Sequence, residues 1–376
     1  MKIMHLSDLH LGKRLNEFSL IPDQEDILSK IAAIAAEEAP DAVVIAGDIY
    51  DKAMPPAEAV ALFDEFLVRL SECTAHIFVI SGNHDSPERI AFGAKLMSRA
   101  GIHLSPVYDG NVEPVRLKDA YGGVNFYLLP FIKPMHVRRI FPEENADTYT
   151  DAIRVAVQKM HIDTLGRNIL VTHQFVTGAN RSESEEISVG GADNVDADVF
   201  SCFDYVALGH IHSAQSCGEK NIRYCGTPLK YSFSEAGDCK SVTIVQMYEK
   251  GNLQIRTIPL VPLHDMVELR GEFEDLTDRQ FYSGLSYLTD YVHITLTDEQ
   301  DIPDAQGKLR MIYRNLMKLD YDNTRTRMTA EIEAPSQRLK SPLEMFAEFY
   351  TMQNNQAMSQ QQIVYLQELL EKEQEE

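Results

Sequence analysis

No run of about 18 consecutive apolar residues occurs in this 376-residue chain, so no membrane-spanning helix is expected. Cysteine is sparse. Cys73, Cys202, Cys217, Cys225 and Cys239 are odd in number, widely spaced, and contain no C-x-x-C pair. A disulfide framework or zinc ribbon is therefore not expected, and a reducing cytoplasm is the default setting. The N-terminus meets a charge at Asp8, which argues against a secretory signal. Neither G-x-x-x-x-G-K-[ST] nor G-x-G-x-x-G is present, so no P-loop is expected and any ATP dependence must come from a partner. G-x-S-x-G is missing too, which leaves a serine nucleophile without support. Positive charge is in the minority, 35 Lys and Arg against 57 Asp and Glu, a net charge of −22. That balance argues against a freely bound nucleic acid, because phosphate binding normally leaves a basic footprint.

What is present is ordinary globular material. Hydrophobic residues are 44% and charged residues 24%, and the length suits two domains, with three possible. The first half alternates short apolar runs with helical patterns. Strands are predicted at Ile3–Leu6, Ala42–Ala46, His76–Ile80, Asn125–Leu129, Asn168–Thr172, Tyr205–Leu208, Val242–Gln246 and Gln254–Ile258. Helices are predicted at Gln24–Glu38, Pro56–Leu70, Arg89–Arg99 and Asp151–Leu165, with a polar loop over Asn180–Asn194. Such alternation predicts a layered α/β sheet protein. The Pro-containing run at 258–263 reads as a linker. Beyond it a smaller α+β unit is expected: strand Met266–Leu269, helix Leu276–Leu288, strand Val292–Thr297, helix Ala305–Leu316 and strand Thr324–Ile332.

The informative residues sit at the strand ends. Asp8 and His10 come after the first strand, and Asp48 after the second. Asn83, His84 and Asp85 come after the third. His173 ends the strand at Asn168–Thr172, and His210 and His212 come after Tyr205–Leu208. Sites in open α/β sheets form at the carboxyl ends of strands. One Asp there means little, since turns favour Asp, but five such ends exceed turn chemistry. Imidazole, carboxylate and amide oxygen together suit a metal pair. Two ions about 3.5–4 Å apart can share a bridging carboxylate, hold a hydroxide and hydrolyse a phosphoester by in-line attack. Residues two apart, as in Asp8-x-His10 and His210-x-His212, point to the same side of an extended segment.

Asp8-x-His10, Gly47-Asp48, Gly82-Asn83-His84-Asp85, His173 and Gly209-His210-x-His212 together resemble, in order, the five motifs of the calcineurin-like metallophosphoesterases. Within that superfamily the surrounding residues are similar to the nuclease subunits of bacterial SbcCD-type complexes. The carrying stretches run from His5 to Lys13, Ser81 to Ser86, Thr172 to Val176, and Tyr224 to Glu235. The last is the strongest subfamily marker. The resemblance implies a four-layer α/β/β/α domain over residues 1–262, a smaller α+β capping domain over 263–340 and a partner-binding helical tail over 341–376. It implies that Asp8, His10 and His212 bind one divalent ion, that Asn83, His173 and His210 bind the other, and that Asp48 bridges. Mn²⁺ would be the activator. His84 would assist the leaving oxygen without binding metal, with Asp85 as its orienting partner.

The same resemblance implies a partner ATPase of SbcC type with a coiled coil, DNA as substrate, and a homodimer within a heterotetramer. The implied activities are ATP-dependent 3′-to-5′ double-strand exonuclease and hairpin endonuclease, serving repair, recombination and replication of DNA with blocked or palindromic ends. Lys13, Arg14, Arg89, Arg181 and Lys230 lie near the motifs and are candidates for DNA phosphates. With the partner carrying most DNA contacts, an acidic chain is no contradiction. Two amphipathic patterns, Ser341–Met352 and Gln361–Leu370, suit a helix-in-groove contact. Phe92, Leu96 and Met97 are candidates for the dimer contact, or equally for core. His5 reads as a residue supporting the site rather than a ligand. A small-molecule phosphodiesterase, acting for example on cyclic nucleotides, would use the same seven ligands. A non-enzymatic scaffold on this fold would be expected to have lost some of them.

Overall fold

In the computed structural model, the described residues are 1–179, 193–218, 221–324, 326, 346–347, 350, 358–359, 362–363 and 365–366. They divide into two compact units, Met1–Thr295 with Pro303–Asp320, and Leu296–Ile302 with the described part of Tyr321–Glu376.

Two six-stranded sheets build the first unit. One runs in the order Leu253–Pro259, Ser241–Met247, Lys2–Leu6, Ala42–Ala46, Ile77–Ile80, Ile102–Leu104. The other runs Gln215–Ser216, Ile222–Tyr224, Tyr205–Gly209, Arg167–His173, Gly122–Leu129, Val115–Asp119. Central strands are parallel in both, with Met4 opposite Val43 in one and Leu208 opposite Thr172 in the other. Parallel strands covered on both faces read as continuous apolar runs, and Ala42–Ala46 is buried at every position. Alternate residues nevertheless serve different layers. Ile3, Val44, Phe78, Ile80, Phe126, Val171 and Ala207 fill the space between the sheets. Met4, Leu6, Val43, Ile45, Ile77 and Val79 face the helices Ile21–Glu38 and Ala57–Cys73. Leu170, Val206 and Leu208 face the helix Tyr149–Lys159. This is the expected four-layer α/β/β/α arrangement.

Burying each aliphatic side chain is worth about 1.5–3 kcal/mol, so three such layers dominate the stability of the unit. Phe78 and Phe126 stack across the two sheets, with ring centroids 4.4 Å apart and planes at 6°. Such a pair adds about 0.5–1.5 kcal/mol beyond its buried area. Tyr205 OH meets His5 Nδ1 at 2.9 Å, a buried polar link between the same sheets. Burial, reinforced by Arg223, lowers His5 to about 3, so this ring is a neutral core group.

Several elements differ from expectation. Arg89–Arg99 is not one helix, because Gly93 takes a left-handed φ of +75° between the short helices Pro87–Ile90 and Ala94–Met97. The helix Tyr149–Lys159 starts at a Thr148–Asp151 capping box and stops short of His161, whose φ is +49°. Leu276–Leu288 is replaced by Phe273–Thr277 and Arg279–Tyr282, split where Asp278 is extended and caps the second by accepting from Gln280 N–H. Helix Ala305–Arg310 ends early because Leu316 and Met317 are buried in a strand, Leu316–Tyr321. That strand closes a three-stranded sheet ordered Met266–Gly271, Tyr291–Leu296, Leu316–Tyr321. The strand expected at Thr324–Ile332 falls mostly outside the described residues, and Thr324 and Thr326 are helical. Arg181, most of the loop at 180–194 and most of both tail patterns also lie outside them.

In the second unit, Asp322 N–H donates to Leu296 O at 2.8 Å and Thr324 Oγ1 meets Glu299 Oε1 at 3.0 Å.

Candidate metal centre

The carboxyl ends of five strands converge on one rim. Lys2–Leu6 delivers Asp8 and His10, Ala42–Ala46 delivers Asp48, and Ile77–Ile80 delivers Asn83 and His84. From the second sheet, Arg167–His173 ends on His173, and Tyr205–Gly209 is followed by His210 and His212. The backbone is strained there. Asp8, His10, Asp48 and His210 have φ of +53°, +43°, +48° and +95°, a region that non-glycine residues rarely enter. Strain of this kind costs on the order of 1–3 kcal/mol per residue and concentrates at functional sites. Close approach also demands glycine: a Cβ on Gly82 would collide with Asp48 Oδ1, and one on Gly209 with Ala46 O.

All seven predicted ligands and His84 lie together. The ligand atoms of Asp8, His10 and His212 fall within 4.8 Å of one another, as do those of Asp8, Asp48 and His173. Asn83 Oδ1 is 3.0 Å from His173 Nε2 and 2.9 Å from His210 Nδ1. Asp48 Oδ2 lies between the two groups, 3.3 Å from His173 Nε2 and 3.6 Å from His10 Nε2. Its other oxygen accepts from His84 N–H at 2.9 Å. Asp8 Oδ1 accepts from His210 N–H at 2.9 Å, tying the two strand ends together.

The donor geometry fits divalent cations. His173 Nδ1 faces Ala46 O at 2.8 Å, an acceptor, so the ring proton resides on Nδ1. Nε2 faces two oxygens, Asn83 Oδ1 at 3.0 Å and Asp48 Oδ2 at 3.3 Å, so this buried point demands positive charge, a proton on the ring in the metal-free chain or a cation in its place. His10 Nε2 and His212 Nε2 similarly face each other at 3.2 Å. Asp8 Oδ2 and His10 Nδ1 are buried without a hydrogen-bond partner, an unusual state for polar atoms. Two carboxylates, an amide oxygen and four imidazoles are donors for divalent metals of the first transition row.

Electrostatics report the same demand. Burial pushes His173 down, but Asp48 and Asp8 outweigh it and raise the imidazole to about 9. Burial pushes Asp48 up, but His173, His10 and His84 hold it well below the carboxylate range. Asp8 is raised, chiefly by burial. Burial holds His10 well below its usual value.

His84 departs from expectation in its support. Its Nδ1 meets the backbone carbonyl of Asp51 at 3.0 Å. The Asp85 carboxylate is not its partner and instead accepts from Gly82, Tyr50 and Ile49 N–H at 2.9, 3.0 and 3.1 Å. Asp85 therefore pins the Asp48 loop to the Asn83 loop, and the physical reason is three otherwise orphaned N–H groups. Burial and Asp48 raise it to about 6 against those three donors.

Residues without a motif signal complete the site. Gln24 Nε2 donates to His10 O at 2.8 Å, and Gln24 Oε1 accepts from Gly12 N–H at 2.9 Å. Tyr231 OH donates to Leu9 O. Glu235 Oε1 lies 3.5 Å from His212 Nδ1, and Glu235 Oε2 pairs with Lys240 Nζ at 2.5 Å. Burial pushes Glu235 up, but His212 and Lys240 hold it down to about 2. Tyr231 and Glu235 sit inside the Tyr224–Glu235 stretch, the one available signal. Of the predicted basic residues, Lys13 pairs with Asp51 at 2.7 Å and Lys230 with Asp265 at 2.8 Å, both largely buried, whereas Arg14 and Arg89 are exposed. Among the described residues no helix is long and apolar enough to cross a membrane.

Comparison with known proteins places this geometry. Residues 1–214 match the calcineurin-like phosphoesterase family, and residues 262–354 match the type 5 capsule protein repressor C-terminal domain. SbcD, the nuclease subunit of SbcCD, from Staphylococcus epidermidis is 32% identical over 377 residues, covering 98% of each chain. Among solved structures, a dimetal phosphatase from Danio rerio overlaps 69% of this chain and 99% of its own at 12% identity and a TM-score of 0.38. A protein from Thermus thermophilus overlaps 68% and 98%, at 13% identity and the same score. The phosphoesterase match spans more than half of the chain, and the nuclease subunit aligns from end to end. The chain therefore belongs to the calcineurin-like phosphoesterases, an enzyme family dependent on divalent metal ions, and within them to the SbcD nuclease family.

Proposed function

We propose that this phosphoesterase is the nuclease subunit of an SbcCD-type complex, hydrolysing DNA phosphodiesters with two Mn²⁺ ions. The observation that carries the reading is the convergence of two carboxylates, an amide oxygen and four imidazoles on one buried rim, where His173 Nε2 faces the Asn83 and Asp48 oxygens at 3.0 and 3.3 Å. Asp8, His10 and His212 would hold one ion, and Asn83, His173 and His210 the other, with Asp48 shared. When bound, such a pair neutralises charge on phosphoryl oxygens and lowers the pKa of attacking water. The protein's own groups supply the rest. His84 keeps Nδ1–H on the Asp51 carbonyl, so the protonated ring would hand its second proton, on Nε2, to the leaving 3′ oxygen and remain as the neutral Nδ1–H tautomer. Asp85 keeps the two loops in register beneath it.

The wider reading is ATP-dependent 3′-to-5′ double-strand exonuclease and hairpin endonuclease action with an SbcC-type ATPase, in the cytoplasm, for DNA end repair. The segments are assigned as residues 1–262 for catalysis, 263–340 for capping and 341–376 for the partner. Exposed Phe92 and Leu96, 84% and 71% accessible, support a homodimer face there.

The test is digestion of 3′-labelled duplex DNA with Mn²⁺, with and without the ATPase and ATP. Wild type releases label, and His84→Ala, with metal still bound, falls by about 10²–10⁴-fold. No release even with ATPase and ATP, alongside turnover of a cyclic nucleotide, would replace this reading with a small-molecule phosphodiesterase.

A further inference from the structure

His212 is held by an unusual buried group of charges. Glu235, Lys240 and His212 are 1%, 6% and 3% exposed. Glu235 divides its two oxygens between them, Oε1 toward His212 Nδ1 at 3.5 Å and Oε2 toward Lys240 Nζ at 2.5 Å. Lys240 Nζ also donates to His212 O at 3.0 Å and approaches Asp238 Oδ2 at 3.4 Å. Asp238 in turn accepts from Ser213 Oγ at 2.7 Å. A buried ion pair is often no more stabilising than apolar residues of the same volume, so stability alone does not account for it. Its placement does. The far side of the same ring, Nε2, faces His10 Nε2 at 3.2 Å inside the metal centre.

We infer that Glu235 is a positioning residue for the metal centre, holding the proton of His212 on Nδ1 so that Nε2 is presented as a ligand, and that Lys240 fixes which oxygen does so. A carboxylate accepting from the remote ring nitrogen of a metal-binding histidine sets its tautomer and orientation. Lys240 is a donor only, so it captures one carboxylate oxygen and leaves the other for the ring. The lysine's second bond, to the His212 carbonyl, clamps backbone and ring of the same residue.

The inference rests on the two-metal reading, and the experiment separates the two. Mn²⁺ binding to the full chain is measured by titration calorimetry, and spin coupling between bound ions by electron paramagnetic resonance at limiting Mn²⁺. Glu235→Gln is nearly isosteric. Its amide has one oxygen, which Lys240 takes, so the NH₂ group turns to His212 Nδ1 and forces the ring proton onto Nε2. One of two Mn²⁺ sites is then expected to weaken by about 10–100-fold, with loss of the coupled signal. Adding Lys240→Met removes the shorter of two contacts on that oxygen, the other being a 3.4 Å approach of Tyr231 N–H, so the amide can turn its oxygen to His212 and part of the affinity is expected to return. An ion pair that served only folding would show the reverse order, the double variant being worse. Wild-type affinity in Glu235→Gln, or further weakening on adding Lys240→Met, overturns the role of Glu235. Failure of the wild type to bind Mn²⁺ overturns the metal reading itself.

Discussion

His293 and His173 of the first unit both sit among carboxylates, and of this pair His173 alone lies in the candidate metal centre. His293 lies in the small sheet with Nδ1 3.1 Å from Glu268 and Nε2 2.9 Å from Asp320. Each nitrogen has its own carboxylate on a different edge of the ring, and Glu268 and Asp320 are 57% and 45% exposed. Solvent and Lys318, 2.7 Å from Asp320, settle the remaining charge. His173 is wholly buried, gives Nδ1–H to a backbone carbonyl, and aims Nε2 at two oxygens on one side. Residue types are shared between the two places. Convergence on a single buried point is what differs, and convergence calls for positive charge there, met by the His173 proton in the metal-free chain and open to a cation in its place.

That contrast can be broken by removing the oxygen at the point of convergence. Asp48→Ala takes away the atom shared by His173 and His10, so binding should fall below two Mn²⁺ per chain and nuclease activity to background, as read by metal analysis and DNA digestion. Retention of two ions would place the centre elsewhere.

A smaller effect concerns pH. His173 is raised in the folded, metal-free chain to about 9 from 6.5. The folded state then binds this proton more tightly than the unfolded state. Its contribution to stability is fully present below about pH 6.5 and is lost as pH rises through about 9. The metal-free chain should therefore lose melting temperature across that window, and the Mn²⁺-loaded chain, having displaced the proton, should not. The small sheet behaves oppositely. Burial pushes Asp320 up, but Lys318 and His293 outweigh it and lower its pKa, so its contribution is present above about pH 4 and is lost on acidification. Parallel melting curves for loaded and metal-free chain between about pH 6.5 and 9 would contradict this account of His173.

The smallest change is expected from His293→Gln. Metal stoichiometry should stay at two and DNA turnover within about twofold, since the partners of both His293 nitrogens, Glu268 and Asp320, lie in the small sheet and not in the metal centre. A lost metal there would erase the distinction between the two sites.

The candidate ligand set is legible because its signals are local. An apolar run followed by Asp, Asn or His needs no tertiary knowledge, and Asp8, His10, Asp48, Asn83, His84, His173, His210 and His212 all converge. The layered α/β organisation is legible in the alternation of apolar strands and helices, whereas the four-layer stacking is what the family resemblance implies. Short-range failures have equally local causes: Gly93 interrupts Arg89–Arg99, and Asp278 interrupts the helix expected at Leu276–Leu288. Asp85 was misplaced because adjacency in sequence to His84 says nothing of the three backbone N–H groups its carboxylate meets.

Residue order by itself determined which chemistry this chain carries and which strand ends bear it, since periodicity and strand-end residues are properties of short segments. Only the tertiary structure decided what holds those residues at work. Gln24 under His10, Glu235 and Lys240 behind His212, and Asp51 behind His84 act through contacts between segments that are distant along the chain or lie in irregular loops. Such contacts follow from packing, which fixes directions and distances that no spacing in a sequence encodes.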